Sequence, residues 1–405
     1  MTFRVLSLDG GGVWSLMQAR ALIELYGPQT LGRTVLQDFD LVAATSGGAI
    51  VLGGLIENYP LEAVLEIFKS DESRRKTFPP TREILGPLIR KIPGVEFGAL
   101  YSTDKKLRAL EEMTPNYGPL PLKDAVKGIR RAGSKRDLHV MMTAFDYDRN
   151  RARFFRSAPA GGPGWGDGTP SDVTLVQAIN ASADPPIAYF DQPADVGPDR
   201  YWDGAIAGCT NPVLAAVGEA KVLTDGLRQI VALSLGAGSV ALAGPPVTKP
   251  ATPYQQKRTK ACLIGDIEKI AVAIVDDPPD SASFLAHLMT GGPVGLPYPL
   301  RSRIVRMSPV VRPVRNARHE WTAPGAMDEA TFERLASYGI DAIKKNQIAD
   351  LDDYATLWLS DTAPNQPIRM NGDTFECEVG HKTFSEAAAA WRQLAPKSPC
   401  HDWAD

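Results

Sequence analysis

Apolar residues dominate Phe3 to Leu8, with the length and composition of a short buried strand. Three glycines follow, and apolar positions then return at helical spacing, with Leu16, Ala19, Ile23 and Tyr26 on one side. Ser15-Leu-Met-Gln18 has the S-x-x-Q form of a capping box at the start of that helix. The same plan repeats at once. Phe39 to Ala43 reads as a second strand, Thr45-Ser46-Gly47-Gly48 as a turn and Ala49 to Glu57 as a helix. Further strands are predicted at Leu138 to Phe145 and Gln229 to Leu235. Helices are predicted near Leu175 to Ala183, Pro212 to Lys221, Ile264 to Val275 and Asp328 to Lys345. Such alternation predicts an α/β layered fold with a central, largely parallel sheet flanked by helices.

Four segments break the pattern: Pro79 to Gly98, Ala158 to Gly168, Gly244 to Pro253 and Gly291 to Pro299. They read as connecting loops, one of them a candidate substrate lid. From Asp361 onward the pattern thins, and no internal repeat is found.

Composition narrows the class. With 44% hydrophobic and 22% charged residues in 405, the chain has the make-up of an ordinary globular protein, and a net charge of −3 gives no case for a nucleic-acid partner. The opening MTFRVLSLDGGG is too short in apolar residues for a signal peptide, so secretion is not expected. Leu41 to Ile56 is the longest uncharged apolar stretch. Its 16 residues, with Thr-Ser-Gly-Gly in the middle, fall short of the ~20 that span a bilayer, and it reads as a buried strand and helix. Cys209, Cys262, Cys377 and Cys400 are widely spaced, with no CxxC pair and no histidine at ligand spacing. That predicts neither a zinc site nor a disulfide framework and fits a reducing cytoplasm.

In VAATSGGAIV, Ser46 stands between strand and helix, with Ala44 two residues before and Gly48 two after. Small residues there meet the steric demand of a nucleophile elbow, with Ala44 in place of the first glycine of G-x-S-x-G. A plain serine N-cap is the competing reading of this stretch alone. Gly10, Gly11 and Gly12 shift the balance. Acyl transfer through a serine needs N–H groups aimed at the oxyanion, each worth ~2.7–4 kcal/mol, and three adjacent glycines could supply them. GGGVWS has neither the P-loop pattern nor the spacing of a dinucleotide fold, which weakens a phosphate-binding reading.

A third stretch, RYWDGAIAGCTNPVLAAVGEA, contains Asp203-Gly204-Ala205. Asp9 to Gly12, Ser46 to Gly48 and Asp203 to Ala205, with ASADPPIAYF before the aspartate and IVALSLGAG after it, stand in an order that resembles the patatin-like phospholipases. The resemblance runs over residues 3 to 238. It implies a three-layer patatin-like α/β fold and a lipid acyl hydrolase domain over residues 1–350, with 351–405 as a C-terminal extension. It further implies a catalytic Ser46–Asp203 dyad without histidine, an oxyanion hole from Gly10, Gly11 and Gly12, and no metal or cofactor. Asp9 is then a turn-stabilising residue. Ala44 and Trp14, the latter where many members carry Lys or Arg, depart from the family pattern.

An aspartate base starts ~2.6 pKa units below a histidine, a deficit of roughly 3.5 kcal/mol, part of which burial of Asp203 would recover. A Ser-His-Asp esterase for small soluble esters is the alternative. It would draw on His287, His319, His381 or His401, all downstream of Asp203. A catalytically silent patatin fold that binds lipid or nucleotide is another.

Arg301, Arg303, Arg306, Arg312, Arg315 and Arg318 lie in a stretch with no acidic residue. It reads as solvated surface or as an anion-binding site for a headgroup or regulatory nucleotide, as could Arg149, Arg151, Arg153 and Arg156. The GGGVWSLMQ opening is similar to family members that serve bacterial antiphage systems as cyclic-nucleotide-activated effectors. The expected partners are therefore membrane phospholipid as substrate, a cyclic nucleotide as activator and a second copy in a homo-oligomer. The expected place is the cytoplasm with transient membrane-surface contact.

Overall fold

A computed structural model of the chain describes residues 2–78, 100–157, 172–186, 189–226, 228–246, 250–257, 278–325 and 327–396. At its centre is an eight-stranded sheet made by β1 (Phe3–Leu8), β2 (Leu41–Ala44), β3 (His139–Asp146), β4 (Arg151–Arg156), β5 (Ala194–Val196), β6 (Asp199–Asp203), β7 (Ile230–Leu235) and β9 (Ile304–Met307). Its order is β5-β6-β3-β2-β1-β7-β9, with β4 also on β3. The run β3-β2-β1-β7-β9 is parallel; β4, β5 and β6 join antiparallel. The expected largely parallel α/β sheet is therefore present, with an antiparallel flank. Beyond Gly236 a short parallel pair, β8 (Ser239–Val240) with β10 (Val310–Val311), continues the β7 and β9 side.

Strand alternation makes three layers. Leu6, Leu8, Val42, Val140 and Leu233 join the larger core, while Phe3, Val5, Leu41, Met141 and Ala232 pack with the helix Val213–Leu223 on the other face. The first face carries the helices Leu16–Tyr26, Gly47–Ile56, Lys345–Leu359 and Phe384–Leu394. Parallel strands buried on both faces explain why β1, β2 and β7 read as nearly unbroken apolar runs.

β3 acts as a ruler for the site. Its edge facing β2 is paired as far as Ala44↔Met142, and the same edge then takes β6, with Ala144 opposite Asp203. The opposite edge is occupied by β4 over Met141–Asp146, so β2 and β6 must share one side. Asp203 is thereby set just past the end of β2, where Ser46 begins the next element.

The structure differs from expectation in four places. The Ser15 capping box does not form: Ser15 has helical dihedrals and no capping bond, and Gln18 Nε2 instead donates to the Asp9 carbonyl at 2.7 Å. The helix expected over Asp328–Lys345 is two. Glu329–Ala336, capped by Asp328 (2.8 Å to the Thr331 N–H), is separated from Lys345–Leu359 by a break at residues 337–344. A boundary at residue 350 would cut the second helix. The segment beyond it is part of the main core, where Trp391 stacks on Phe39 (5.8 Å between ring centres) and Trp358 and Phe384 are buried, so 351–396 is no separate extension. Finally, β2 starts at Leu41 rather than Phe39, because the Phe39 N–H still closes the preceding turn on the Leu36 carbonyl at 3.1 Å. The expected loops at Pro79–Gly98 and Ala158–Gly168 and the expected helix at Ile264–Val275 lie outside the described residues.

Candidate active site

The glycine loop and the Ser46 turn leave neighbouring strands at the same end, since Leu8 pairs with Ala44 on one side and Leu235 on the other. Ser46, 6% exposed, adopts φ 52°, ψ −123°, a positive-φ conformation costly for a residue with a Cβ and of the kind that a strand-to-helix nucleophile elbow requires. Its N–H donates to Ser182 Oγ at 3.0 Å. The preceding Thr45 hydroxyl is bound by Thr143 of β3 (2.7 Å) and the Cys209 carbonyl (2.6 Å). Small residues are needed here for space: a Cβ at Gly47 would stand 2.5 Å from the Gly12 carbonyl, so the elbow and the glycine loop touch backbone to backbone.

Asp203 ends β6 and is 1% exposed. Its carboxylate accepts the Ala205 N–H at 2.9 Å and lies near enough to the Ser46 side chain for that hydroxyl to favour its ionised form. Burial pushes its pKa up to about 6, against the opposing pull of the Ser46 hydroxyl, the Ala205 N–H and Lys106. A base near 6 lies within reach of neutral operating conditions.

The three glycines are not equivalent. Gly10 donates its N–H to the Thr210 carbonyl at 2.8 Å, which removes it from the expected oxyanion set. Among the described residues the N–H groups of Gly11 and Gly12 have no partner, nor has that of Gly47, the residue after the serine. Gly12 sits at φ +56°, where a Cβ would lie 2.2 Å from the Ile340 carbonyl. That carbonyl accepts the Val13 N–H (2.9 Å), and the neighbouring Gly339 carbonyl accepts Trp14 Nε1 (3.1 Å). The break between the two C-terminal helices thus presents carbonyls to the glycine loop, and Trp14 anchors it.

Asp9 fixes the loop from the other side through a buried ion pair with Arg306, 2.6 Å. Arg306 also donates to Ser234 Oγ at 2.9 Å. This corrects the arginine stretch as one anion site. Arg306 is interior although β9 is the terminal strand, because helices Pro278–Met289 and Phe384–Leu394 pack on β9, and β9 separates Arg301 and Arg303 at its start from Arg312, Arg315 and Arg318 beyond its end. Arg303 bonds the Thr290 carbonyl (2.6 Å), Arg312 is half-buried, and Arg315 stands over Trp321. In the second group Arg149 pairs with Asp146 and Asp199, and Arg156 with Glu219.

The expected triad histidines have other duties. His287 spends its ring nitrogens on Ser302 Oγ and the Pro293 carbonyl, both 2.9 Å; His319 is on an exposed hairpin; burial lowers the pKa of His381; His401 lies outside the described residues. A groove of about 790 Å3 lined by Phe3, Asp40, Arg136 and His139 opens at the opposite end of the sheet, a strand's length from Ser46. Among the described residues no cluster of three His, Cys, Asp or Glu could hold a metal ion.

Sequence reasoning missed Ser182, Thr143, Lys106 and Asp184. Ser182 and Asp184 lay in ASADPPIAYF, where an aspartate before two prolines after an apolar helix was the available signal. Lys106, on an ordinary amphipathic helix, gave none.

The patatin-like phospholipase family profile matches residues 6–217, a span holding the glycine loop, the Ser46 elbow and Asp203. Phospholipase A I of Arabidopsis thaliana is 28% identical over 277 residues, 58% of this chain and 21% of the relative. A cGAMP-activated phospholipase of Pseudomonas aeruginosa is 28% identical over 156 residues, 38% of this chain and 40% of the relative. The chain therefore spans well under half the length of these relatives. VipD from Legionella pneumophila matches over 88% of this chain and 66% of its own, at 10% identity and a TM-score of 0.33, too loose to add to the assignment. With a profile match over more than half its length, the chain belongs to the patatin-like phospholipase family.

Proposed function

We propose that the chain is a lipid acyl hydrolase that cleaves carboxylic esters of phospholipids through a Ser46 acyl-enzyme with Asp203 as base. The observation that carries this reading is the Ser46 side chain beside the buried Asp203 carboxylate, next to a glycine loop with unpaired N–H groups. Ser46 Oγ attacks the ester carbonyl as Asp203 takes its proton, and the tetrahedral oxyanion is met by the N–H groups of Gly11 and Gly12. Collapse breaks the ester C–O bond, and Asp203 returns the proton to the departing lysolipid alcohol. Water then attacks the acyl-enzyme, gives its proton to Asp203 and releases a fatty acid as Ser46 is reprotonated. A pKa near 6 recovers about 2 of the ~2.6 units by which aspartate trails histidine, or roughly 3 kcal/mol.

Phospholipid vesicles incubated with the protein should yield equal amounts of free fatty acid and lysolipid by mass spectrometry, and Ser46→Ala should yield neither. Hydrolysis of small soluble esters alone would overturn the lipid assignment. Failure of Ser46 to react with a fluorophosphonate probe would favour a silent binding module.

A second reading is supported by the similarity to a cGAMP-activated phospholipase. We infer that lipid hydrolysis here is held in check until a cyclic nucleotide binds, as an effector of bacterial antiphage defence would require. Arg315 and Arg318, exposed beyond β9, remain candidates for the anion contact. Assays with a panel of cyclic di- and trinucleotides test it. Full activity without nucleotide, and no binding by calorimetry, would remove it.

A further inference from the structure

Lys106, on the helix Thr103–Met113, is 1% exposed. Its Nζ donates to Asp184 Oδ1 at 2.6 Å, to the Ala183 carbonyl at 2.6 Å and to the Asn180 carbonyl at 3.1 Å, and it stands 4.3 Å from the centre of the Phe190 ring. Asp184 is fully buried, and the Thr103 hydroxyl bonds its carboxylate at 3.2 Å. The segment that this ion pair ties down, at the end of the helix Leu175–Ser182, reaches both members of the dyad. Ser182 Oγ accepts the Ser46 N–H, and the Asp184 carbonyl accepts the Asp203 N–H, each at 3.0 Å.

Two charges taken fully out of water add little stability over an apolar pair of the same volume. This pair therefore calls for another reason to be where it is. We propose that Lys106 and Asp184 are positioning residues of the hydrolase: their ion pair locks residues 182–184, which hold the backbones of Ser46 and Asp203 at a fixed separation, and they set the charge felt by the base. The proposal rests on the Ser46–Asp203 reading.

The charged groups facing Asp203 are few. Lys106 favours its ionised form and Asp184 opposes it, while the Ser46 hydroxyl and Ala205 N–H are neutral donors. Asp191 acts on both members of the pair. Across the strand pairing, β3 brings neutral Thr143 and Ala144, and its Asp146 is bound by Arg149 at 2.9 Å. Removing the cation and removing the anion should thus move the base in opposite directions, which loss of a mere scaffold would not do.

The test compares Lys106→Met and Asp184→Asn in the full chain by pH profiles of kcat/KM on a soluble ester, with fluorophosphonate labelling of Ser46 as the measure of folded enzyme. Lys106→Met should move the acidic limb to higher pH and Asp184→Asn to lower pH, each by roughly half a unit or more. Both should lower kcat by about 10-fold or more per labelled site, with KM little changed. Limbs that stay in place, or move the same way, with turnover tracking only the folded fraction, would overturn the proposal. If Lys106→Met does not fold, the sign of the Asp184→Asn shift decides. Ser46→Ala and Asp203→Asn run alongside: turnover surviving in either sinks the dyad and this proposal together, whereas loss in both with unmoved limbs sinks this proposal alone.

Discussion

The two halves of the proposed site, the Ser46–Asp203 pair and the glycine loop, are supported from different parts of the chain. Ser46 and Asp203 are brought together by β2, β3 and β6 and by residues 182–184, all within the span that matches the family profile. The glycine loop keeps bonds from Gly10 to Thr210 and from Gln18 to Asp9 within that span, but it is also braced from outside it, by Arg306 on Asp9 and by the carbonyls of Gly339 and Ile340. Reactive atoms and the brace that aims the oxyanion donors are therefore separable. Damage to the first half should remove chemistry from a sound fold; damage to the brace should cost fold and rate together.

The largest contrast is expected from Ser46→Ala and Asp203→Asn, each lowering turnover by about 10³-fold or more, since nucleophile and base act as a unit. Circular dichroism and kinetics on the same samples test this. Near-normal turnover in either variant would break the comparison at its root. Arg306→Met should follow, because it strands the buried Asp9 carboxylate, at a cost of about 3–5 kcal/mol in denaturant unfolding. Asp9→Asn combined with Arg306→Met should regain much of that stability but not full turnover. A double variant with unimpaired kcat would show that the brace supports the fold alone.

Gly11→Ala sharpens the comparison within the loop. Its Cβ would fall 2.3 Å from that of Ala237. The loop must shift, and kcat should drop by about 10²-fold with little change in KM. An effect confined to KM would indicate a ground-state anion site instead.

A smaller effect concerns stability at the base. Burial raises the folded pKa of Asp203 above its unfolded value, so the native state holds this proton between about pH 4 and 6 while the unfolded state releases it, and stability falls as pH rises through that window. Asp203→Asn should therefore be more stable than the parent at pH 7–8, by at most about 3 kcal/mol. The gap should close below pH 4, and melting curves across pH would reveal an unchanging gap if the burial argument is wrong. Least of all, Trp14→Phe loses one bond to Gly339 and should cost about 1 kcal/mol.

What could be seen in the sequence follows the same division. Strands buried on both faces carry runs such as VLSL and LVAA, so the sheet was legible, and the elbow and Asp-Gly-Ala were legible as short motifs. The antiparallel flank was not. β4 and β6 are half-exposed and mix Arg, Tyr and Trp, which blurs their period. Ser15 and Gln18 spelled a capping box that tertiary contacts overrode, with Gln18 drawn to the Asp9 carbonyl. Arg306 looked like one more surface arginine because its partner stands almost three hundred positions away. Gly10 looked equivalent to its neighbours until the Thr210 carbonyl claimed its N–H.

The distance along the chain between base and brace has a consequence in time. A ribosome adding ~5–20 residues per second delivers Asp203 roughly 5–20 s before Arg306, and Ile340 a few seconds later. During that interval the growing chain holds Ser46 and Asp203 but lacks two anchors of its glycine loop. Under the proposed mechanism, hydrolysis thus waits for residues 306–340, and products released before residue 306 would hold Ser46 and Asp203 beside an unanchored glycine loop.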